Sequence, residues 1–423
     1  MTDRTILDWM SAPASASLWS LEGLRGAEPV LGLAVVMLVA VVAADLLHRW
    51  VRLPRACGWM LVGALASPLA LRLLDRSELD PWKPLIDLAI GMLVFELGSR
   101  IRPRWLIDNR WLALSCLLEG ALAGLLVLFA LKLLGVPTLS AAIAGAVAMS
   151  TSPIITLAVV HEARPRGQVT ERLLLMSAVN SVLAMLAIKG LRVMAVGDSD
   201  DLLAVAGNSL YVVCGSFLLG AAAGYALHRL GHLLRGSAGA MPVLQIVLIV
   251  LATLLAARWT LSPLLALLVA GMMARRWLGH RLTVEPHFGT AGASLTVLLF
   301  MSLGLLFTFD QLLASLGMVL AIVLARLAGK AAAVYATARA SGLGWRQAGA
   351  LTVALQPMTS LAVLLAADTF GWPSQLPGLE ATVLQALLVA TTLLQLTGPL
   401  WTTLALRPLA READEGDSRH VAG

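Results

Sequence analysis

From Val30 onward, apolar stretches of roughly 17 to 27 residues recur, each long enough to cross a hydrocarbon core about 30 Å thick as a helix. Polar and charged residues fall mostly in the connections between them. About thirteen such spans can be drawn, at roughly 30–47, 56–74, 84–99, 111–134, 138–160, 172–195, 203–226, 241–257, 261–277, 290–309, 311–337, 346–367 and 378–404. Lipid offers no water to satisfy exposed backbone groups, so continuous apolar runs of this length must be helices, whereas barrel strands would be shorter and would alternate. The pattern predicts an all-α polytopic membrane protein with about 13 transmembrane helices.

Basic residues are retained on the cytoplasmic side of a membrane, and here they alternate between connections. Arg49, Arg52 and Arg55, then Arg100, Arg102, Arg104 and Arg110, then Arg164, Arg166 and Arg172 occupy one set. Arg229 and Arg235, Arg275, Arg276 and Arg281, and Arg339 and Arg346 continue it. The opposite set holds chiefly Arg72, Arg76 and Lys83, balanced by Asp75, Glu78 and Asp80. This places the amino terminus outside and the carboxyl terminus in the cytoplasm of a bacterial-type inner membrane. Residues 1–29 then form an outer segment without a cleavable signal pattern, 30–404 the transmembrane domain, and 405–423 an acidic cytoplasmic tail around Arg411 to Asp417.

A composition of 59% hydrophobic and 13% charged residues, with a mean hydropathy of +0.84, agrees with a chain lying almost wholly in lipid. The net charge of +6 is accounted for by the basic connections, so no nucleic-acid partner is expected. Cys57, Cys116 and Cys214 lie inside spans without paired spacing, which excludes a thiolate metal site. No soluble segment is large enough for an enzyme, and no cofactor is expected.

With the seventh span as a linker, six helices lie on each side, and the eighth begins on the opposite face from the first. Such halves are inverted repeats, and transporters place their sites where interrupted helices of the two repeats meet. The fifth span contains Ser150-Thr151-Ser152-Pro153 and the twelfth contains Gln356-Pro357-Met358-Thr359-Ser360. Each proline frees a backbone carbonyl that nearby hydroxyl or amide groups can satisfy, or that can bind a ligand.

Several motifs, in order along nearly the whole chain, resemble the cation:proton antiporter superfamily, particularly the monovalent-cation branch that includes the glutathione-gated potassium efflux proteins. They are Leu53-Pro54-Arg55-Ala56-Cys57-Gly58-Trp59-Met60-Leu61-Val62-Gly63, Phe95-Glu96-Leu97-Gly98 followed by Arg100, Thr151-Ser152-Pro153, Leu261-Ser262-Pro263 leading to Ala270-Gly271, and Gly329-Lys330. The resemblance implies crossed interrupted helices in spans 5 and 12 and a homodimer. It also implies a dimerisation bundle (spans 1–3 and 8–10) and a moving core bundle (spans 4–6 and 11–13), where proton and cation compete for a carboxylate. At the position of the family's helix-6 aspartate this chain reads Ala178-Val179-Asn180-Ser181-Val182. Ser181 cannot titrate near neutral pH, so another group must carry the proton.

Glu119, Ser152, Asn180, Ser181 and Lys330 all fall roughly 10 to 15 Å inside the cytoplasmic helix ends, and Arg326 lies one turn deeper than Lys330 on the same face. Ionisable groups at such depth cost about 2.5–3.5 kcal/mol each and tend to face a partner or a cavity. Glu119 has two readings: a relocated proton carrier bonded to Asn180 or paired with Lys330, or a structural ion pair that offsets Arg326 or Lys330. Lys330 matches the family's basic residue in the eleventh span. Histidines 161, 228, 232, 280 and 287 at cytoplasmic helix ends read as solvated or dipole-facing, Lys189 and Arg192 as snorkelling, and Asp45 and Glu96 as structural or gating charges.

The expected function is antiport of a monovalent cation, sodium or potassium, against protons, at an atypical site. Thr151, Ser152, Ser177, Asn180, Ser181 and Gln356 would supply oxygen ligands, Glu119 the titratable charge, and Lys330 and Arg326 the charge balance. Two alternatives remain open: a carrier of an anion or small organic solute held by Lys330 and Arg326, and a non-transporting sensor or scaffold of the same fold.

Overall fold

The computed structural model describes residues 29–67, 71, 73, 81–101, 108–165, 167–196, 202–234, 240–278, 289–305, 315–370 and 380–421. The expectations for segment 1–28, for the connection charges at Arg72, Asp75, Arg76, Glu78, Asp80, Arg102, Arg104, Arg166, Arg235 and Arg281, and for His280 and His287 lie outside the described residues.

The described residues form helices throughout: α1 (Pro29–Val51), α2 (Arg55–Ala66), α3 (Lys83–Arg100), α4 (Arg110–Leu133), α5 (Thr138–Ala148), α6 (Pro153–Ala163), α7 (Gln168–Val196) and α8 (Leu202–Leu233). They continue as α9 (Ala240–Arg258), α10 (Pro263–Leu278), α11 (Gly289–Leu305), α12 (Leu316–Ala338), α13 (Trp345–Ala354), α14 (Ser360–Phe370) and α15 (Ala381–Val421). By length and composition, eight candidate spans among them are long and apolar enough to cross a membrane. The apolar part of α15 ends at Arg407, close to the expected boundary, but the helix runs on unbroken to Val421.

Packing sorts the helices into two groups. In one, α4 lies along α12 and α5, α7 contacts α5 and α14, and α15 contacts α6 and α13. In the other, α2 packs on α1 and α11, and α10 packs on α3, α8 and α9. The apolar window across α5 and α6 is 89% buried, against 22% for α9. A helix buried all round sits inside a bundle, so the broken fifth span is central and α9 leaves most of its surface uncovered by the rest of the chain.

Helices within the second group approach closely because small residues line their contact. A Cβ added to Gly98 of α3 would meet the carbonyl oxygen of Leu268 on α10 at 2.2 Å, and one added to Gly271 would meet that of Phe95 at 2.1 Å. The two backbones touch through positions that tolerate no side chain. The helix ends carrying Arg55, Arg100, Arg172, Arg275 and Arg407 share one end of the molecule, called here the basic face; the other end is the far face.

Overpacking a tight contact costs about 1–3 kcal/mol. Gly98→Ala is therefore expected to lower the melting temperature of the detergent-solubilised protein, whereas Ala substitution at Gly207, where an added Cβ meets nothing within 4 Å, leaves it unchanged.

Candidate functional site

The two interruptions expected from sequence meet. Helix α5 stops at Ala148 and α6 begins at Pro153, which occupies the first helical turn, where its missing N–H costs nothing. Ser152 caps α6 by accepting from the Ile155 N–H at 3.4 Å. In the other repeat α13 stops at Ala354 and α14 starts at Ser360. Between the breaks, the Ser152 N–H donates to the Pro357 carbonyl at 2.8 Å and the Thr151 hydroxyl to the Leu355 carbonyl at 3.3 Å.

Two helix C-termini thus point at each other in the protein interior, each carrying unsatisfied carbonyls and about −0.5 of a unit charge. Arg326 of α12, fully buried, lies between them. Its Nε donates to the Ala148 carbonyl (3.0 Å), and its Nη2 to those of Ser150 (2.7 Å) and Leu355 (3.2 Å). Its Nη1 donates to both the carbonyl (2.7 Å) and the side-chain oxygen (3.0 Å) of Gln356. The dipoles of two C-termini sum to about −1, close to the single guanidinium charge, so this centre is electrically balanced without a carboxylate.

One turn along α12, Lys330 is also fully buried. Its ammonium donates to Glu119 Oε1 and, at 3.0 Å, to the Thr151 hydroxyl. The Asn180 amide donates to the other Glu119 oxygen. Glu119 and Asn180 are wholly buried as well. Local geometry explains the meeting: a Cβ on Gly329 would lie 2.6 Å from the Ala123 backbone, so α12 approaches α4 closely enough for the next residue, Lys330, to reach the carboxylate one turn before Ala123. Asn180 Oδ1, buried, has no hydrogen-bond partner among the described residues. Such an atom costs about 1–3 kcal/mol unless something fills its lone pairs.

The nine singled-out residues divide accordingly. Glu119, Lys330, Asn180 and Thr151 form one cluster, and Ser181 joins it through its hydroxyl, 2.7 Å from the Thr151 carbonyl and 2.9 Å from that of Ser177. Arg326 and Gln356 form a second unit with the helix ends. Ser152 serves as a cap, and the Ser177 hydroxyl donates to Leu174 of its own helix at 2.9 Å. Of the two readings of Glu119, both expected contacts occur together, and the one to Arg326 is replaced by carbonyls.

A cavity of about 360 Å³ opens between the two helix groups toward the far face, with Ser181 and Thr359 on one wall and Asp87, Thr253 and Ser262 on the other. Ser181 lines it; Glu119 and Lys330 lie one residue behind, past Thr151. Lys189, expected near an outer helix end, lines this cavity and donates to the Thr260 carbonyl at 2.9 Å. A second cavity, about 270 Å³, lies at the basic face beside Arg100, Glu171 and Arg275. Residues overlooked in the sequence include Asp87, whose only signal was a carboxylate one turn from Lys83 near the start of α3. His161, expected to be solvated or dipole-facing, sits in the last turn of α6 as the second reading has it, with its side chain 6% exposed and 2.6 Å from Glu96. Among the described residues no group of three or more His, Cys, Asp or Glu is placed to hold a metal.

The sequence pattern of the family described as "Sodium/hydrogen exchanger, transmembrane" matches residues 34–407. No curated protein matches the chain by sequence. Among solved structures, that of the sodium proton antiporter MjNhaP1 from Methanocaldococcus jannaschii at pH 8 is similar, with a TM-score of 0.68 and 14% identity over 90% of this chain and 98% of the other. An electron-microscopy map of the same antiporter gives 0.67 and 15%, covering 90% and 97%. At such identity these likenesses establish the fold.

Removing the partner of several buried polar groups is strongly destabilising, by about 3–5 kcal/mol for a buried charged centre. Arg326→Lys keeps a charge but loses the planar fork, so it is expected to lower the melting temperature markedly; an unchanged melt would show that the helix ends find other partners.

Proposed function

We propose a mechanism from this premise: the chain belongs to the sodium/hydrogen exchanger family and is a multi-pass membrane transporter, not an enzyme. In our reading it exchanges a monovalent cation, sodium or potassium, for protons, and the exchange centres on the Glu119–Lys330 pair in place of an acid at position 181. The named structural neighbour, a sodium proton antiporter, supports cation exchange.

The observation that carries the reading is that Glu119, Lys330, Asn180 and Thr151 form a closed, fully buried cluster next to the crossed helices. With Arg326 balanced by carbonyls, this cluster holds one carboxylate and one amine. A cation arriving at Glu119 would leave an uncompensated positive charge in a low-dielectric site, a cost of several kcal/mol. That cost disappears when one proton leaves the pair as the cation enters. Competition between a proton and a cation at one pair is exchange, one for one at this site.

The cation's ligands would be a Glu119 oxygen, the Thr151 hydroxyl and Asn180 Oδ1, which stands ready without another partner. Ser181 serves as the polar threshold between the cavity and the pair. Gln356 and Ser152 keep the helix breaks in shape, and Ser177 braces α7 beside Ser181. The anion-carrier reading loses its counter-charges, because each nitrogen of the Arg326 guanidinium already donates to oxygen atoms and Lys330 is paired.

We place the basic face in the cytoplasm of an inner membrane by the rule that retained arginines mark that side. Helices α1–α3 and α9–α11 would form the interface of a homodimer, α8 the linker, and α4–α7 with α12–α15 the moving core.

In proteoliposomes, sodium or potassium added outside is expected to change lumenal pH. Glu119→Gln, which preserves shape and removes the charge, abolishes that response. Wild-type flux in this variant would remove Glu119 from the mechanism.

A further inference from the structure

The two helix groups are held together differently at the two faces. On the far face the cavity reaching Ser181 parts them. On the basic face they are tied by charges that take no part in the Glu119 cluster. Glu96 of α3 is only 2% exposed, and its Oε1 receives Arg100 Nε at 3.2 Å and Nη2 at 2.9 Å. His161 Nε2 of α6 lies 2.6 Å from the same oxygen and 2.9 Å from Arg100 Nη2, so the three side chains form one cluster. The adjacent residue, Glu162, receives the Arg55 backbone N–H at 3.0 Å on each carboxylate oxygen and lies 3.1 Å from His48 Nδ1. Asp45 in turn holds Arg49 at 2.7 Å and Arg55 at 3.1 Å. From α15, Arg407 reaches the Arg52 carbonyl at 3.1 Å.

The contacts of His161 with Glu96, of Glu162 with Arg55 and His48, and of Arg407 with Arg52 run between the α4–α7 and α12–α15 group and α1–α3 or their connection, whereas Glu96–Arg100 and the Asp45 pairs brace α1–α3 among themselves. The two carboxylate ties start from consecutive residues at the end of α6, whose other end is the helix break at Thr151 and Ser152. A buried carboxylate is an expensive way to pack helices, and an apolar pair would serve packing equally well. Its distinguishing property is that it can be exchanged for another set of partners at small net cost. The far-face cavity carries such a set: Asp87 on α3 and Lys189 on α7 line it from the two groups.

We infer that Glu96–His161 and Glu162–Arg55 form a latch that keeps the basic face shut while the far face is open. Releasing it lets Asp87 and Lys189 close on each other and turns the site over to the basic face. The inference rests on the transporter reading, which requires access to alternate. Turnover also requires two states within a few kcal/mol of one another, since a larger bias leaves one of them unpopulated. A latch at one face with an opposed charge pair at the other supplies that balance. The residues are positioning residues: they touch neither Glu119 nor Lys330.

The test uses the full chain with Cys57, Cys116 and Cys214 replaced by serine and Ser181→Cys as reporter, in vesicles labelled from one face at a time with a membrane-impermeant maleimide. Labelling from the far face is expected to dominate. Adding Glu96→Gln and Glu162→Gln, which keep side-chain shape, is expected to shift labelling several-fold toward the basic face. Adding Asp87→Asn to that variant is expected to return it toward the far face. An unchanged face preference in the Gln variant, checked as folded by its melting curve, overturns the latch; no effect of Asp87→Asn overturns its far-face counterpart. Because labelling reports access and not flux, a chain that moves no cation but shifts its labelling keeps the latch and loses the exchange reading.

Discussion

Two helices that stop halfway across a bilayer leave carbonyl groups pointing into a region with no water to accept them from. In this protein one side chain resolves both ends: the guanidinium of Arg326 collects the carbonyls of Ala148, Ser150, Leu355 and Gln356. Beside it the two breaks meet directly, the Ser152 N–H donating to the Pro357 carbonyl. Thr151, buried within the break, lies outside both helices. Its carbonyl lies within reach of the Ser181 hydroxyl and its own hydroxyl receives Lys330.

The charge arrangement follows from this constraint. Because helix dipoles neutralise Arg326, the remaining buried amine needs its own carboxylate, and Glu119 supplies it from α4, a different helix from the one bearing Ser181. The pattern of the sodium/hydrogen exchanger family, to which the chain belongs, covers residues 34–407, and position 181 within it carries a hydroxyl that lines a cavity. The charged pair is thereby withdrawn one residue from solvent. A deeper pair is more strongly desolvated, which raises the cost of leaving either charge uncompensated.

Legibility varied with the range of the interaction. The helical spans were readable because lipid imposes a minimum apolar length, and the expected ends of α4, α7, α9 and α10 agree with the structure to within a few residues. Both helix breaks were readable because proline and its hydroxyl neighbours are local signals. Glu119 was readable as a charge in an apolar run, but its partners were not: the choice among Lys330, Arg326 and Asn180 depends on how α4, α7 and α12 rotate about their axes. Arg326 was assigned to charge balance against Glu119 or to an anion because backbone carbonyls, the partners it has here, are the same for every residue type and leave no trace in sequence. For His161 two readings stayed open for a related reason, since its burial depends on Glu96, 65 residues away.

The amino-acid sequence by itself determined that the chain is a bundle of membrane helices, which helices break and where, and which ionisable groups are carried into the interior. These are consequences of local composition acting against a uniform solvent. The tertiary structure alone decided which charges pair, which face is open, and that the acid serving Lys330 is Glu119. Pairing depends on distances of a few ångströms between helices far apart in the chain, and those distances are set by backbone contacts such as Gly329 against Ala123, whose geometry appears only once the helices are packed.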